Sequence, residues 1–187
     1  MDKKRLTMLT DVVTAMSVVA LVFWMERVFA PASSVFWIER NSFFACGLSM
    51  AWLGTMWFGL ARTWRDVEQV SVPAAWLTLL LLGCMAVMPY FSPMLGQWFK
   101  KRIIEVLYGG LVLGATGVDW LLHRLLRRDN PDCMALVWHC RVQLVSMGIV
   151  FVGIGLAVFV YTRAAFFSVL AATIWRFAAS FLPERAA

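Results

Sequence analysis

The sequence predicts an all-α polytopic membrane protein with six transmembrane helices and both termini in the cytoplasm, and three observations carry that expectation. Of its 187 residues, 61% are hydrophobic and 15% charged, with a mean hydropathy of +0.75, far more apolar than a water-soluble domain requires. Six stretches, 6–25, 42–61, 72–91, 103–122, 142–161 and 164–182, each reach the roughly 20 residues that cross a hydrocarbon core of about 30 Å. Lysine and arginine are divided unequally between the alternate ends of those stretches, as the positive-inside bias requires.

The first stretch opens on Arg5-Leu6-Thr7-Met8-Leu9-Thr10-Asp11 and then runs without charge from Val12 to Met25. It continues directly into Glu26 and Arg27 with no small-residue cleavage site, so it is expected to remain in the mature protein. At about 100° per residue, Arg5, Leu9, Val12, Met16, Ala20 and Phe23 fall on one face. Thr7, Thr10, Asp11, Thr14 and Ser17 fall on the other. A polar stripe is costly against lipid, so that face should turn to other helices or to water. A buried Asp11 needs a partner, and Arg5 is the nearest candidate in sequence.

The remaining stretches add fewer polar signals. The second carries Trp57, the third holds Pro89 with Pro93 just beyond it, and the fourth contains Gly110 and Gly114 in a GxxxG spacing of the kind that lets helices approach closely. The segment 123–141 is polar, contains Asn130 and Pro131, and is expected to be the longest interior loop. The last two stretches, 142–161 and 164–182, are recognised by hydropathy alone. One membrane domain spanning 1–187 is the simplest organisation.

An N-terminus on the inner side gives that side Lys3, Lys4, Arg5, Arg62, Arg65, Arg124, Arg127, Arg128, Arg141, Arg176 and Arg185. The outer side receives Arg27, Arg40, Lys100, Lys101, Arg102 and Arg163, so only the Lys100–Arg102 cluster runs against the bias. The net charge of +6 is then a topological signal, and no nucleic-acid footprint is read from it. Trp24, Trp37, Trp64, Trp98, Trp120, Trp138 and Trp175 stand near span ends, where an indole suits the headgroup region.

Cys46, Cys84, Cys133 and Cys140 show neither CxxC pairing nor metal-ligand spacing, which predicts reduced thiols. His123 and His139 flank the interior loop among arginines, a poor setting for haem, and no cofactor is expected. No nucleophile with its base, no HExxH and no phosphate-cradling glycine loop occurs, so an enzyme is not expected.

Arg5 with Leu9, Thr10 and Asp11 resembles the Arg-x-x-x-Phe-Ser-Asp signature that opens the first helix of the transmembrane protein 175 family of potassium channels. Trp57, then Trp76-Leu77-Thr78-Leu79, the third stretch with Pro89, "LGQW" and the downstream Tyr108-Gly109 follow the family's order at close to its spacing. The resemblance covers Arg5 to about Leu122. Leu60 and Ala61 stand where the family usually carries a His-His pair, Thr78 replaces an asparagine and Gln97 a glutamate.

The resemblance implies a potassium-selective channel in a prokaryotic plasma membrane, without the Thr-Val-Gly-Tyr-Gly filter that this sequence also lacks. It implies a homotetramer whose pore is lined by the first helix, with Met16 as main constriction and Val19 or Ala20 and then Phe23 beyond it. Potassium ions would be the only, transient, metal. Arg5, Thr10, Asp11 and Trp57 would orient that helix. Two alternatives remain at this level. Titration of Asp11 would make the protein a proton-coupled transporter, and polar residues serving only as glue would make it a non-conducting structural or regulatory subunit.

Overall fold

The computed structural model describes residues 3–26, 33–98, 101–131 and 133–181. Arg27, Lys100, Arg185 and the side chain of Trp37 lie outside the described residues. Six helices follow one another: α1 (Lys3–Glu26), α2 (Ser33–Asp66), α3 (Val72–Gln97), α4 (Arg102–Asp129), α5 (Ala135–Phe159) and α6 (Ala164–Phe181). All six contain an apolar window long enough to cross a membrane. The chain is a multi-pass membrane protein.

Apolar run length understates these helices. α2 extends to Asp66 and α4 to Asp129, while α5 begins at Ala135 rather than 142. The expected loop 123–141 therefore shrinks to 130–134. Backbone N–H and C=O groups near the membrane are satisfied most cheaply by continuing the helix, even where the side chains become polar on one face. α3 likewise runs through Pro89 and Pro93 to Gln97 instead of ending at 91. Each proline removes one N–H donor, and between them the Ser92 hydroxyl adds a bond to the Met88 carbonyl at 2.7 Å.

The helices pack as two groups. Among the described residues α1 touches only α2 and α3, while α4, α5 and α6 pack closely on one another. α3 against α4, and α2 against α5 and α6, join the groups. Going round the bundle, α1 is flanked on one side by α2 and then α6, and on the other by α3 and then α4. A hydroxyl cluster ties the middle: Tyr108 of α4 lies 2.9 Å from Ser49 of α2, which lies 2.6 Å from the Ser92 hydroxyl of α3. Thr78, the departure from asparagine, is buried and donates back to Ala74 at 2.8 Å, so it adds nothing to the interhelical network.

One end of the bundle gathers the start of α1, the α2–α3 turn and the α4–α5 turn. The Lys3 ammonium donates to the carbonyls of Arg65 and Val67, where the C-terminus of α2 offers negative potential. Asn130 accepts from the N–H groups of Glu68 and Gln69 and donates to the Gln69 and Leu126 carbonyls. At the other end, the buried Glu105 of α4 accepts from the Phe166 N–H at 3.1 Å, placing a carboxylate at the positive end of α6. Lys101 stands there too, its ammonium 3.8 Å from the Trp98 ring.

Two expectations about packing need correction. Trp64 is not an interfacial anchor; it is 2% exposed and part of the core between α2 and its neighbours. Gly110 and Gly114 do not serve packing within the subunit, because a Cβ at either would meet nothing within 4 Å. Close approaches are permitted instead by Gly153, where a Cβ would lie 2.1 Å from the Ser168 Cβ, and by Gly96, where it would lie 2.0 Å from the Ser42 Cα. Gly96→Ala must push α3 off α2, and a loss of about 1–3 kcal/mol is expected. Gly54→Ala, whose Cβ would meet nothing within the subunit, should not destabilise the fold and should gain up to about 1 kcal/mol from helix propensity, and thermal unfolding of both variants in detergent checks the contrast.

Candidate functional site

α1 buries a narrow stripe: Leu6, Thr10, Thr14, Ser17 and Leu21, each at most 6% exposed. The 4-4-3-4 spacing is that of one helix face. Its hydroxyls do not bridge to other helices. Thr10 donates to the Leu6 carbonyl at 2.9 Å, Thr14 to Thr10 at 2.8 Å and Ser17 to Val13 at 2.8 Å. Each oxygen is thus satisfied within α1, and the small side chains let α2 and α3 close on the helix. Thr10 therefore ties α1 to its neighbours by packing and not by an interhelical hydrogen bond.

Asp11 is exposed at the edge of this stripe. Its Oδ1 accepts from the indole N–H of Trp57 on α2 at 2.8 Å, so the partner is Trp57 rather than Arg5. Six residues of helix turn Arg5 about 120° away from Asp11 and separate the two by roughly 9 Å along the axis, which places Arg5 at the exposed start of the helix. The indole fixes α1 rotationally, because a hydrogen bond of this length tolerates little sliding. Leu60 is buried in the core and Ala61 is half-buried, so two apolar side chains occupy the helix turn that follows Trp57.

The opposite face of α1 touches no other helix. Met16 is 67% exposed, Phe23 63% and Val19 51%, while Ala20 is half-buried. In the single subunit this is an apolar strip of long and bulky side chains along the bundle's rim.

A second polar centre lies where α2, α4, α5 and α6 meet. Asp119 is buried, as are His123, Gln143 and Arg176. Its Oδ2 accepts from Gln143 and lies 3.3 Å from the Arg176 guanidinium. His123 Nδ1 lies 2.8 Å from the Asp119 carbonyl and 3.2 Å from its Oδ1, and Nε2 lies 2.8 Å from the Thr63 hydroxyl. The His139 ring stands 5.3 Å from that of His123. Nδ1 faces acceptors, so it carries a hydrogen. Thr63 has one proton and two acceptors in reach, the Gly59 carbonyl at 3.0 Å and Nε2; giving it to Gly59 leaves Nε2 to be the donor and His123 an imidazolium.

Sequence reasoning missed this centre. His123 is buried in the bundle and not exposed among the loop arginines, and Arg176 is a buried guanidinium inside α6. The signal was present: Asp119 inside the fourth stretch and Arg176 inside the sixth are ionisable residues at membrane depth, which demand each other. The four cysteines are free, and among the described residues no cluster of metal-ligating side chains occurs.

A six-helix membrane bundle with a rim helix held by a carboxylate–indole contact defines a fold that can be compared directly. No family model and no curated protein sequence matches the chain. Its fold is shared by a crystal structure of a lysosomal potassium-selective channel TMEM175 homolog from Chamaesiphon minutus, with a TM-score of 0.79 and 17% identity over 95% of this chain and 97% of that one. The fold expected from the ordered motifs is therefore the fold observed.

Asp119 and Arg176 should behave as one unit. Asp119→Ala leaves the Arg176 guanidinium without its carboxylate and should cost about 3–5 kcal/mol, while Arg176→Met, which leaves Asp119 with His123 and Gln143, should cost less. The double variant should cost clearly less than the sum. Additivity within about 0.5 kcal/mol in a double-mutant cycle of unfolding would mean that the two residues are independent.

Proposed function

We infer that this chain is the subunit of a potassium-selective channel of the TMEM175 type, its six spans forming a single channel domain and four copies surrounding a pore lined by α1. The observation that carries this reading is the rim position of α1: it packs through its hydroxyl stripe and leaves Met16, Val19 and Phe23 turned away from the subunit. One such helix cannot enclose a path, so several copies must meet around an axis. The shared fold with a potassium-selective channel homolog supports the same reading.

In the assembly, Met16 forms the narrowest ring, Val19 and Ala20 the next, and Phe23 the last. No hydroxyl oxygens face the ion, so passage depends on the ring widening and rewetting, because an apolar neck empties of water and is itself a barrier. Methionine's flexible thioether suits a ring that closes and rearranges. The end bearing Lys3, Arg65 and Asn130 faces the cytoplasm, following the lysine and arginine bias.

Met16→Asn should wet the ring, raise ion flux severalfold in liposomes and reduce the preference for potassium over sodium. Thr14→Ala, on the packed face, should leave selectivity unchanged. Loss of selectivity in Thr14→Ala with none in Met16→Asn would put the hydroxyl stripe on the ion path and sink the reading.

A second reading, a proton-coupled conductance, is favoured by one observation, the Asp119–His123–Thr63 centre with its two proton arrangements. It requires potassium flux to be accompanied by stoichiometric proton movement, which a pH-sensitive dye in the same liposomes detects.

A further inference from the structure

An apolar groove of about 1190 Å³ runs between α2 and α6. Along α2 it extends from Asn41 to Phe58, roughly 25 Å at the helical rise, which is longer than the half-thickness of about 15 Å that one lipid chain spans in its leaflet. Trp57, the residue that holds Asp11, lines it. The groove therefore borders α1 on the α2 side.

On the other flank of α1, α3 presents a ridge. Trp76 is 68% exposed, Leu80 55%, Val87 43% and Tyr90 65%, and their spacing keeps them on one helix face. The buried faces of α3 are taken by α1, α2 and α4, which leaves this face unpartnered between α1 and α4. From Trp76 to Tyr90 it runs roughly 21 Å, close to the length of the groove.

We propose that the α3 ridge of one subunit seats in the α2–α6 groove of the next, with Trp76, Leu80, Val87 and Tyr90 as the inserted side chains. This rests on the reading of α1 as pore-lining. If the subunits turn about an axis next to α1, the two surfaces that meet are the flanks of α1, and these are different surfaces. The contact is thus heterologous, head to tail, and closes into a ring. The occupant is a second copy because a concave, two-leaflet-long apolar surface and a convex one of matching length lie on the two flanks that closure brings together.

Rotation about the membrane normal preserves depth, which fixes the register. α2 and α3 leave a common turn, and Gly54 lies twelve residues before Asp66 as Cys84 lies twelve after Val72. Gly54 lines the groove, and a side chain there meets nothing within the subunit. Cys84 stands half-buried beside the ridge and is free. The seat also covers Trp57, so each subunit would press on the residue that sets its neighbour's pore helix.

The test is disulfide trapping in the full chain with its native cysteines. Gly54→Cys in liposomes, oxidised with copper phenanthroline, should give a ladder of dimer, trimer and tetramer on non-reducing gels. Peptide mass spectrometry should join position 54 to Cys84, and Cys84→Ala should abolish the ladder. Leu144→Cys, exposed on α5 away from both flanks, is the control and should give no ladder. The mass and potassium flux of unoxidised Gly54→Cys are measured alongside. A conducting tetramer without the ladder, or with an equal ladder from Leu144→Cys, overturns the interface alone and leaves the groove to lipid. A monomer without flux overturns the pore reading and the interface with it.

Discussion

The rotational setting of α1 decides which of its faces the bundle leaves free, and it follows from where polar groups can be satisfied in a hydrocarbon solvent. A threonine or serine facing lipid keeps its internal bond to the i−4 carbonyl but gains nothing; facing a neighbouring helix, it adds close packing. Thr10, Thr14 and Ser17 take the second course. Asp11 cannot bond back in this way, since a carboxylate only accepts, and it takes its hydrogen bond from the Trp57 indole on α2. Together these contacts turn the apolar side of α1 outward. A helix with the reverse setting would bury Met16 and Phe23 and present hydroxyls to the membrane.

The second polar centre plays a different part. Asp119, Arg176 and Gln143 draw α4, α5 and α6 together, and His123 carries the connection to Thr63 on α2. Buried ionic contacts of this kind contribute less to stability than their removal costs, because each charge has already lost its hydration. Their effect is to fix the register of four helices. That frame is what α1 leans on through α2, and the Ser49–Tyr108–Ser92 cluster extends the same frame to α3. Among the described residues α1 is thus the helix with the fewest neighbours, attached to a body held by polar contacts at two depths.

Much of the fold was legible before any coordinate. Runs of apolar residues locate the helix centres, and the 100° periodicity from Leu6 to Phe23 separates the face that packs from the one that does not. The ends were not legible in the same way: α5 begins at Ala135, where His139 and Arg141 interrupt the apolar run, since a hydropathy sum cannot see that one face of a polar segment is buried. The Asp119 centre escaped for a related reason. Its members are 57 residues apart in sequence, and only the packing of α4 against α6 turns two costly residues into one satisfied pair. The resemblance put Trp57 in one group with Asp11, but the residues alone did not pair them, because proximity in sequence favours Arg5 whereas helix geometry turns Arg5 aside.

The central claim, that the Met16 face of α1 meets the ion path while the Thr14 face meets protein, is tested most directly by modifying single cysteines during potassium flux. With a charged, membrane-impermeant methanethiosulfonate reagent, Met16→Cys should be modified and its flux blocked, and potassium ions should slow the reaction. Thr14→Cys should react far more slowly and conduct throughout. Rapid block of Thr14→Cys with an inert Met16→Cys would contradict the account, since the ion path would then run along the face that the structure buries against α2 and α3.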